Sequence, residues 1–179
     1  MKVLIVNCSP VKNGATARII QIAKEELIKR YEVKDVCIDD YRFSFCTGCR
    51  RCHTTAQCIY SDGVDELMEE FEKADVILCV SPSYWADVPG QFKAFIDRCT
   101  PYSNTHNPHK ALSLGKKGYA IALRTGGRVQ ECEKIAGTIE HFYGHLDINY
   151  VKALCLTKVE YRDDVVNREE EIRLFCNDI

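Results

Sequence analysis

Short apolar runs alternate with amphipathic segments along the whole chain. The first run, residues 2–7 (K-V-L-I-V-N), is rich in β-branched side chains and predicts a buried strand. Ile20, Ala23, Leu27 and Tyr31 then recur at helical spacing, which predicts a helix after a short loop. The same alternation predicts further strands over 31–38, 75–80, 118–123 and 148–156, and further helices that begin at Asp62, Pro89, Val129 and Val166.

Strands that alternate with helices are typical of an α/β fold with a parallel, doubly wound sheet. The chain shows no repeat and no linker, so we expect one domain over residues 1–179. Two irregular segments interrupt the alternation: a cysteine-rich loop at about 44–60 and a polar loop at about 101–117. The polar loop is too long for a simple turn, and such loops are usually lids or interface segments, or are disordered.

Composition narrows the class of protein. The 24 basic and 26 acidic residues give a net charge of −2, which disfavours a general affinity for nucleic acid or for a membrane surface. No apolar run approaches the roughly 20 residues of a membrane-spanning helix, and residues 3–6 are too few for a signal peptide. We therefore expect a cytoplasmic protein. Among the 11 cysteines, those at 37, 79, 99, 132 and 155 lie singly in apolar segments and predict buried thiols rather than disulfides.

A polar loop joins the first strand to the first helix. Loop amides, hydroxyl groups and the positive end of a helix converge on one anion in such a loop, which is typical of phosphate binding. The loop contains neither G-x-G-x-x-G nor G-x-x-x-x-G-K-[ST], which disfavours a Rossmann NAD enzyme and a P-loop NTPase. An ordinary strand–helix turn is the alternative. The predicted phosphate residues are Ser9, Lys12, Asn13, Gly14, Ala15 and Thr16.

Two further loops follow the third and fourth predicted strands. In a doubly wound sheet the ligand lies at the carboxyl ends of the strands, where these loops meet the first one. Tyr84 and Trp85 are candidates for the walls of a flat ring, with core or interface packing as the alternative. The Gly126-Gly127 amides can approach the edge of a ring, with a plain turn as the alternative. One phosphate and one large ring describe FMN. The predicted ring residues are Pro82, Ser83, Tyr84, Trp85, Thr125, Gly126 and Gly127.

Two stretches of the chain carry a family resemblance. The first loop matches the pattern G-S-P-R-K-x-G-N-T at Ser9, Pro10, Lys12, Gly14 and Thr16, and departs from it at Cys8, Val11 and Ala15. Residues 81–98 match much of G-S-P-x-Y-x-x-x-V followed by L-K-x-F-I-D-R. Over roughly residues 1–130 the chain therefore resembles the flavodoxin-like NAD(P)H-dependent FMN reductase family. Lys12 or Arg18 could supply the positive charge that the usual loop arginine provides.

The resemblance has several implications. It implies a five-stranded sheet of order 2-1-3-4-5 with helices on both faces, FMN as cofactor and NAD(P)H as co-substrate. It implies chemistry at flavin N5 with no catalytic side chain, and a small-molecule electron acceptor or a redox protein as partner. It also implies a homodimer or homotetramer. The aromatic pair and the two irregular segments fit such an interface, because all three lie near the sheet's carboxyl edge.

The cysteine-rich loop contains the pattern C-x2-C-x2-C-x5-C. Bacterial ferredoxins share the first spacings, with a shorter gap before the last thiol. The pattern resembles the iron–sulfur flavoprotein branch of the same family, in which four thiols bind a [4Fe–4S] cluster beside FMN. Zinc, and free or redox-labile thiols, are the alternatives. The candidate ligands are Cys46, Cys49, Cys52 and Cys58, with Arg50 and Arg51 beside them to offset negative charge.

Three functions remain open at this point. The first is an FMN-dependent oxidoreductase that moves a hydride or electrons from NAD(P)H to a flavin, a quinone or another small acceptor. The second is an iron–sulfur flavoprotein that carries electrons, and the third is a flavin-binding regulatory protein without turnover. His141 and His145 share a helical face but have no further ligand at suitable spacing, and Asp97-Arg98 is interpreted as a cap or an ion pair.

Overall fold

The computed structural model describes residues 1–179 and contains one all-parallel sheet. Its strands are β1 (Lys2–Asn7), β2 (Glu32–Cys37), β3 (Val76–Pro82), β4 (Lys117–Leu123) and β5 (Asn149–Leu156). Their order is β2-β1-β3-β4-β5, which confirms both the predicted architecture and the order that the resemblance implied. β3 lies at the centre and is buried almost throughout, as its unbroken apolar sequence predicted.

Helices cover both faces of the sheet. They are α1 (Ala15–Leu27), α2 (Cys52–Thr55), α3 (Gly63–Lys73), α4 (Gly90–Arg98), α5 (Val129–His145) and α6 (Glu169–Asn177). Helices α1 and α6 pack on one face around Ile19, Ile22 and Phe175. Helices α3, α4 and α5 pack on the other face, where Phe71, Phe95 and Phe142 are in mutual aromatic contact.

The C-terminal helix differs from its predicted bounds. The pattern predicted a helix over 166–176, whereas α6 begins at Glu169 after a 3-10 helix at Arg162–Arg168. The Asp164 carboxylate accepts hydrogen bonds from the amides of Glu160 (2.9 Å) and Tyr161 (2.8 Å). The Asp164 carboxylate thus caps the amides before residue 162 and stabilises a 3-10 helix where the pattern predicted the start of an α-helix. The spacing of apolar residues does not reveal side-chain capping of this kind.

The carboxyl ends of all strands lie at one edge of the sheet. Pairing continues past the strands there, because the Cys8 amide donates to the Val80 carbonyl (3.0 Å) and the Ser83 amide donates to the Leu123 carbonyl (2.8 Å). These bonds hold the loops after β1, β3 and β4 side by side. The predicted crevice at the ends of these strands is therefore present.

The remaining predictions about the chain concern its irregular segments and thiols. The cysteine-rich loop contains only the short α2, and the polar loop carries no helix or strand beyond a 3-10 turn at Thr100–Tyr102. All 11 cysteines are free; Cys79, Cys99 and Cys132 are buried as predicted, whereas Cys37 and Cys155 are only half-buried because each lies on an edge strand. None of the helices is both long enough and apolar enough to cross a membrane.

Candidate functional site

The loop after β1 presents unpaired hydrogen-bond donors. Gly14 is the N-cap of α1 and has no side chain to cap it, so the amides of residues 15–17 find no acceptor within the chain. Thr16 is buried, and its hydroxyl has no hydrogen-bond partner. The buried Ser9 hydroxyl accepts from the Val11 amide (3.0 Å), which leaves its own proton free to donate. Donors at the positive end of a 13-residue helix are suited to an anion.

The basic residues of this loop are paired with carboxylates. The Lys12 ammonium contacts Asp40 and lies 3.9 Å from Asp39, and Arg18 forms an ion pair with Glu169. Hydrogen bonding to Asp40 raises the pKa of Lys12. Both cations are therefore paired with carboxylates in this structure, and the expectation that one of them supplies positive charge to a bound phosphate stays a prediction. Acidic residues after β2 and in α6 reach these cations, which a pattern confined to the loop could not reveal.

The loop after β3 folds into a tight hairpin turn. The amides and carbonyls of Tyr84 and Asp87 bond each other (2.8 and 3.2 Å), and Trp85 and Ala86 at the tip have φ of 55° and 59°. Positive φ at both central residues is typical of a type I′ turn and is strained for a bulky side chain. Trp85 is fully exposed and Tyr84 is 41% exposed. Core packing therefore does not explain this aromatic pair.

The loops after β3 and β4 face each other across a cleft of about 390 Å³. Pro82 is the last residue of β3 and comes directly before this cleft in the chain. The cleft is lined by Ser83, Trp85, Ala86, Arg124, Thr125 and Glu131. Predicted ring residues from two separate segments thus meet at one site.

Arg124 occupies this cleft although the sequence analysis did not single it out. Its Nη1 bonds Glu131 (2.6 Å) and the Arg128 carbonyl (3.3 Å), while its Nε is buried without a partner. The side chain lies over Gly126, where a Cβ atom would stand 2.3 Å from Nη2. Gly126 therefore makes room for the guanidinium, and the Gly127 Cα faces Lys158. The feature of the sequence that could have pointed to Arg124 is a basic residue directly after a central strand.

The four candidate ligand cysteines line a single pocket of about 290 Å³. The chain bends around it through left-handed residues at Gly48, Arg50 and Ala56, with φ between 53° and 67°. Burial raises the pKa of the Cys52 thiol, and the nearby Cys58, Cys46 and Cys49 raise it further. Four cysteines that line one pocket are the donor set of a four-thiolate centre, either a [4Fe–4S] cluster or zinc.

A buried arginine closes the wall of this cysteine pocket. Arg98 is 2% exposed; its Nη1 donates to the Ser44 carbonyl (2.6 Å), and its guanidinium lies 4.9 Å from the Tyr60 ring centroid. Both terminal nitrogens also bond Asp62, at 2.9 and 3.0 Å. The ion-pair interpretation of Arg98 is confirmed, whereas Asp97 pairs separately with Lys93.

Two groups of histidines lie close together but do not form convincing metal sites. Ligand atoms of Cys52, His53 and His106 lie within 4.8 Å of one another. However, both ring nitrogens of His106 face backbone carbonyls, those of Pro108 (2.9 Å) and Thr100 (2.8 Å), so neither presents a lone pair to an ion.

The second histidine group is a pair on α5. His141 and His145 approach through their Nε2 atoms (2.9 Å), and the His145 Nδ1 lies 3.2 Å from the Ser103 hydroxyl. The distance is that of a hydrogen bond between the two rings, and the pair is not part of a group of three or more potential metal ligands.

Comparison with known proteins identifies the family. Residues 1–158 match the model of the NADPH-dependent FMN reductases. The chain belongs to this family. An iron-sulfur flavoprotein of Clostridioides difficile is 32% identical, and the match covers 96% of this chain and 98% of that protein. An iron-sulfur flavoprotein of Archaeoglobus fulgidus is 28% identical over 96% of this chain and 77% of that protein.

Solved structures support the same fold for this FMN reductase family member. Smu.1420 from Streptococcus mutans superposes with a TM-score of 0.72 at 19% identity, with full coverage of both chains. An NAD(P)H:quinone oxidoreductase from Methanothermobacter marburgensis gives 0.72 at 15% identity, over 98% of this chain and 93% of that one. The family and fold predictions are confirmed, while the residue assignments for FMN and for the cluster stay predictions.

Proposed function

We propose that this FMN reductase family member is an FMN-dependent oxidoreductase that takes electrons from NAD(P)H and passes them to a small acceptor. The observation that carries the proposal is the meeting of three loops at one sheet edge. They offer free amides at 15–17, an aromatic hairpin at 84–87 and the Arg124 side chain, whose Nε is buried without a partner. Together they match the needs of one phosphate and one flat ring.

The phosphate end of the proposed site relies on neutral donors. The amides of residues 15–17, the Thr16 hydroxyl and the Ser9 hydroxyl supply the hydrogen bonds, with Asn13 and Gly14 forming the turn. Lys12 and Arg18 contribute less than their charge implies, because carboxylates already neutralise them. The helix N-terminus then provides most of the positive potential.

The ring end of the proposed site combines walls and an edge. Residues 82–85 form one wall, and the 125–127 backbone lies beside the ring's polar edge together with Arg124. Arg124 Nε is a buried donor without an acceptor in the chain, which supports a contact with a ring oxygen or nitrogen. FMN, when bound, supplies the hydride and electron chemistry. The chain's own task is to bind, orient and shield it.

Anaerobic reduction tests this proposal directly. The FMN-loaded protein is mixed with NADPH, and separately with NADH, and loss of the oxidised flavin absorbance is followed. Rapid loss with either donor, restored by a quinone, supports the oxidoreductase. Stable FMN binding without reduction by either donor contradicts it and favours the electron carrier or the regulatory protein.

A second candidate function is that of an iron–sulfur flavoprotein. It is favoured by the convergence of four thiols on one pocket and by relatives that bear this name. A [4Fe–4S] cluster would contain four irons per chain, with the four thiols as its ligands. Anaerobic purification followed by iron, sulfide and zinc analysis tests the assignment. Iron-free protein that still oxidises NAD(P)H through FMN removes this candidate and leaves the reductase.

The cellular setting and partners follow from the same features. We propose a cytoplasmic location, because 11 cysteines without a disulfide are typical of a reducing compartment. The partner is a small electron acceptor or a redox protein rather than nucleic acid, in keeping with the near-neutral net charge of −2.

A further inference from the structure

Arg98 connects the two ends of the cysteine-rich loop. Its Nη1 contacts the carbonyl of Ser44, two residues before Cys46, and its guanidinium lies over the ring of Tyr60, two residues after Cys58. A side chain that is 1% exposed thus contacts the chain on both sides of the four thiols. Arg98 therefore helps to close the loop around the cysteine pocket, together with Asp62, whose carboxylate accepts from the Ser44 amide (3.2 Å).

The terminal nitrogens of Arg98 are committed to Asp62. Nη1 and Nη2 reach the two carboxylate oxygens at 2.9 and 3.0 Å, which fixes the plane of the guanidinium. A lysine has one nitrogen and could not make these contacts together with the Ser44 contact. The fork geometry therefore fixes the direction of Nε, which carries one of the two N–H donors that these three contacts leave unused.

Arg98 Nε is buried and has no hydrogen-bond partner. Arg98 lines the same pocket as the four cysteines. An unpaired buried donor is destabilising unless an acceptor meets it, and the four cysteine sulfur atoms are among the acceptors that line this pocket.

We propose that Arg98 is a positioning residue for the cysteine pocket, which sets the four thiols for one metal centre and directs Nε toward its sulfur atoms. The proposal rests on the second candidate function above, because it requires a four-thiolate centre. A cation and an N–H donor beside sulfur favour the more negative, reduced state of such a centre. Arg98 therefore raises the reduction potential of the centre as well as its affinity for metal.

Cobalt(II) is a suitable probe, since thiolate ligation gives it an intense sulfur-to-metal absorption band. Anaerobic, metal-free protein with FMN bound is titrated with Co²⁺ for the parent, Arg98→Gln, Arg98→Lys and Lys93→Gln. Lys93→Gln is the control: it removes one positive charge from the same helix at an exposed residue that does not itself line the cysteine pocket, although its partner Asp97 does. FMN binding and the circular dichroism spectrum report whether each variant folds.

We expect both Arg98 variants to keep FMN and to lose about tenfold or more in Co²⁺ affinity, as residues behind metal ligands typically do. Lys93→Gln should bind Co²⁺ like the parent. After reconstitution with iron and sulfide, Arg98→Lys should show a more negative midpoint potential than Lys93→Gln. Arg98→Lys retains a positive charge, so it keeps the test open if Arg98→Gln does not fold.

Two results would overturn the proposal in different ways. Parent-like Co²⁺ affinity and an unchanged midpoint potential in the Arg98 variants contradict the role of Arg98 alone. Absence of the thiolate absorption band in the parent contradicts the four-thiolate centre itself, and with it the proposal. In that case FMN reduction by NAD(P)H, measured on the same preparation, shows whether the reductase function stands.

Discussion

Asp62 binds the Arg98 guanidinium through both carboxylate oxygens and at the same time caps helix α3. Its Oδ1 accepts from the Val64 amide (3.2 Å), and its Oδ2 accepts from the Ser44 amide (3.2 Å). One carboxylate therefore joins the start of α3, the end of α4 and the entry to the cysteine-rich loop. Burial raises the pKa of Asp62, but Arg98 and the two amides outweigh it and lower the pKa.

Replacement of Asp62 should destabilise the protein strongly. Asp62→Ala leaves a buried guanidinium without its counter-charge, which typically costs about 3–5 kcal/mol. Because the pKa of Asp62 is lowered in the folded state, its contribution is fully present above about pH 4, the ordinary range of an aspartate. It is lost as the pH falls through the lower, folded-state value. Urea unfolding at neutral and at acidic pH measures both effects.

Asp97→Ala is the control for this prediction. Asp97 and Lys93 are about half exposed, and removal of such a pair changes the unfolding free energy by about 1 kcal/mol or less. Equal unfolding free energies for Asp62→Ala and Asp97→Ala at neutral pH would contradict the importance of the buried pair.

The phosphate end of the proposed FMN site can be tested with two ligands. Thr16→Ala removes a hydroxyl that has no partner within the chain, so the fold should be unaffected. Loss of a hydrogen bond to a charged acceptor costs about 1.5–3 kcal/mol, or tenfold or more in FMN affinity. The double variant with Ser9→Ala and Thr16→Ala should have a still lower affinity for FMN. Riboflavin, which lacks the phosphate, should bind both variants as it binds the parent.

Ser113→Ala provides the matched control, because its hydroxyl donates to the Glu72 carboxylate and neither residue belongs to the proposed FMN site. If the Ser9→Ala and Thr16→Ala double variant binds FMN as tightly as Ser113→Ala does, the phosphate assignment is wrong.

A variant at the ring end of the proposed FMN site should affect riboflavin as well as FMN. Arg124→Gln removes the buried donor from the cleft between the loops after β3 and β4 and breaks the ion pair with Glu131. If the guanidinium meets the ring, FMN and riboflavin should both lose about tenfold or more in affinity. Isothermal titration with each ligand gives the comparison. A loss confined to FMN would instead assign Arg124 to the phosphate.

The sequence was informative where the physical cause is local. The parallel, doubly wound sheet follows from apolar runs that alternate with amphipathic helices, and the crevice follows from the parallel topology, whereas the order of the strands came from the family resemblance. The cysteine pocket was also predictable, because the C-x2-C-x2-C spacing bends the chain around one point.

The sequence was uninformative where the partner lies far along the chain. Arg98 contacts Asp62 and Ser44 across 36 and 54 residues, and nothing in the local pattern of α4 identifies either partner. Lys12 is a second example, since this basic residue of the phosphate-type loop pairs with Asp40, which lies 28 residues away. Charge pairing depends on tertiary placement, which neither periodicity nor loop composition encodes.

Two glycines should respond to alanine in opposite directions. A Cβ at Gly118 would stand 2.4 Å from Cδ2 of Tyr143, a fully buried ring whose hydroxyl lies 3.2 Å from two backbone carbonyls. The ring cannot move freely, so Gly118→Ala should cost about 1–3 kcal/mol by overpacking. Gly137 lies within α5 with open space around it, and Gly137→Ala should stabilise by about 0.5–1 kcal/mol. Thermal unfolding that ranks the two variants in the reverse order would contradict this packing.

The last prediction concerns assembly. Trp85 is fully exposed at the tip of the hairpin beside the proposed ring site, and a strained, exposed aromatic residue next to a cofactor cleft is typical of an interface. We expect the FMN-loaded protein to be a homodimer or homotetramer by light scattering at micromolar concentration. Trp85→Asp should shift the protein toward the monomer. The thermal stability of the single chain should change little, because Trp85 is not packed within its own chain. Leu174→Asp, at an exposed position of α6 on the face opposite α4 and α5, is the control and should keep the parent's mass. A parent protein that is monomeric with flavin bound would refute the interface.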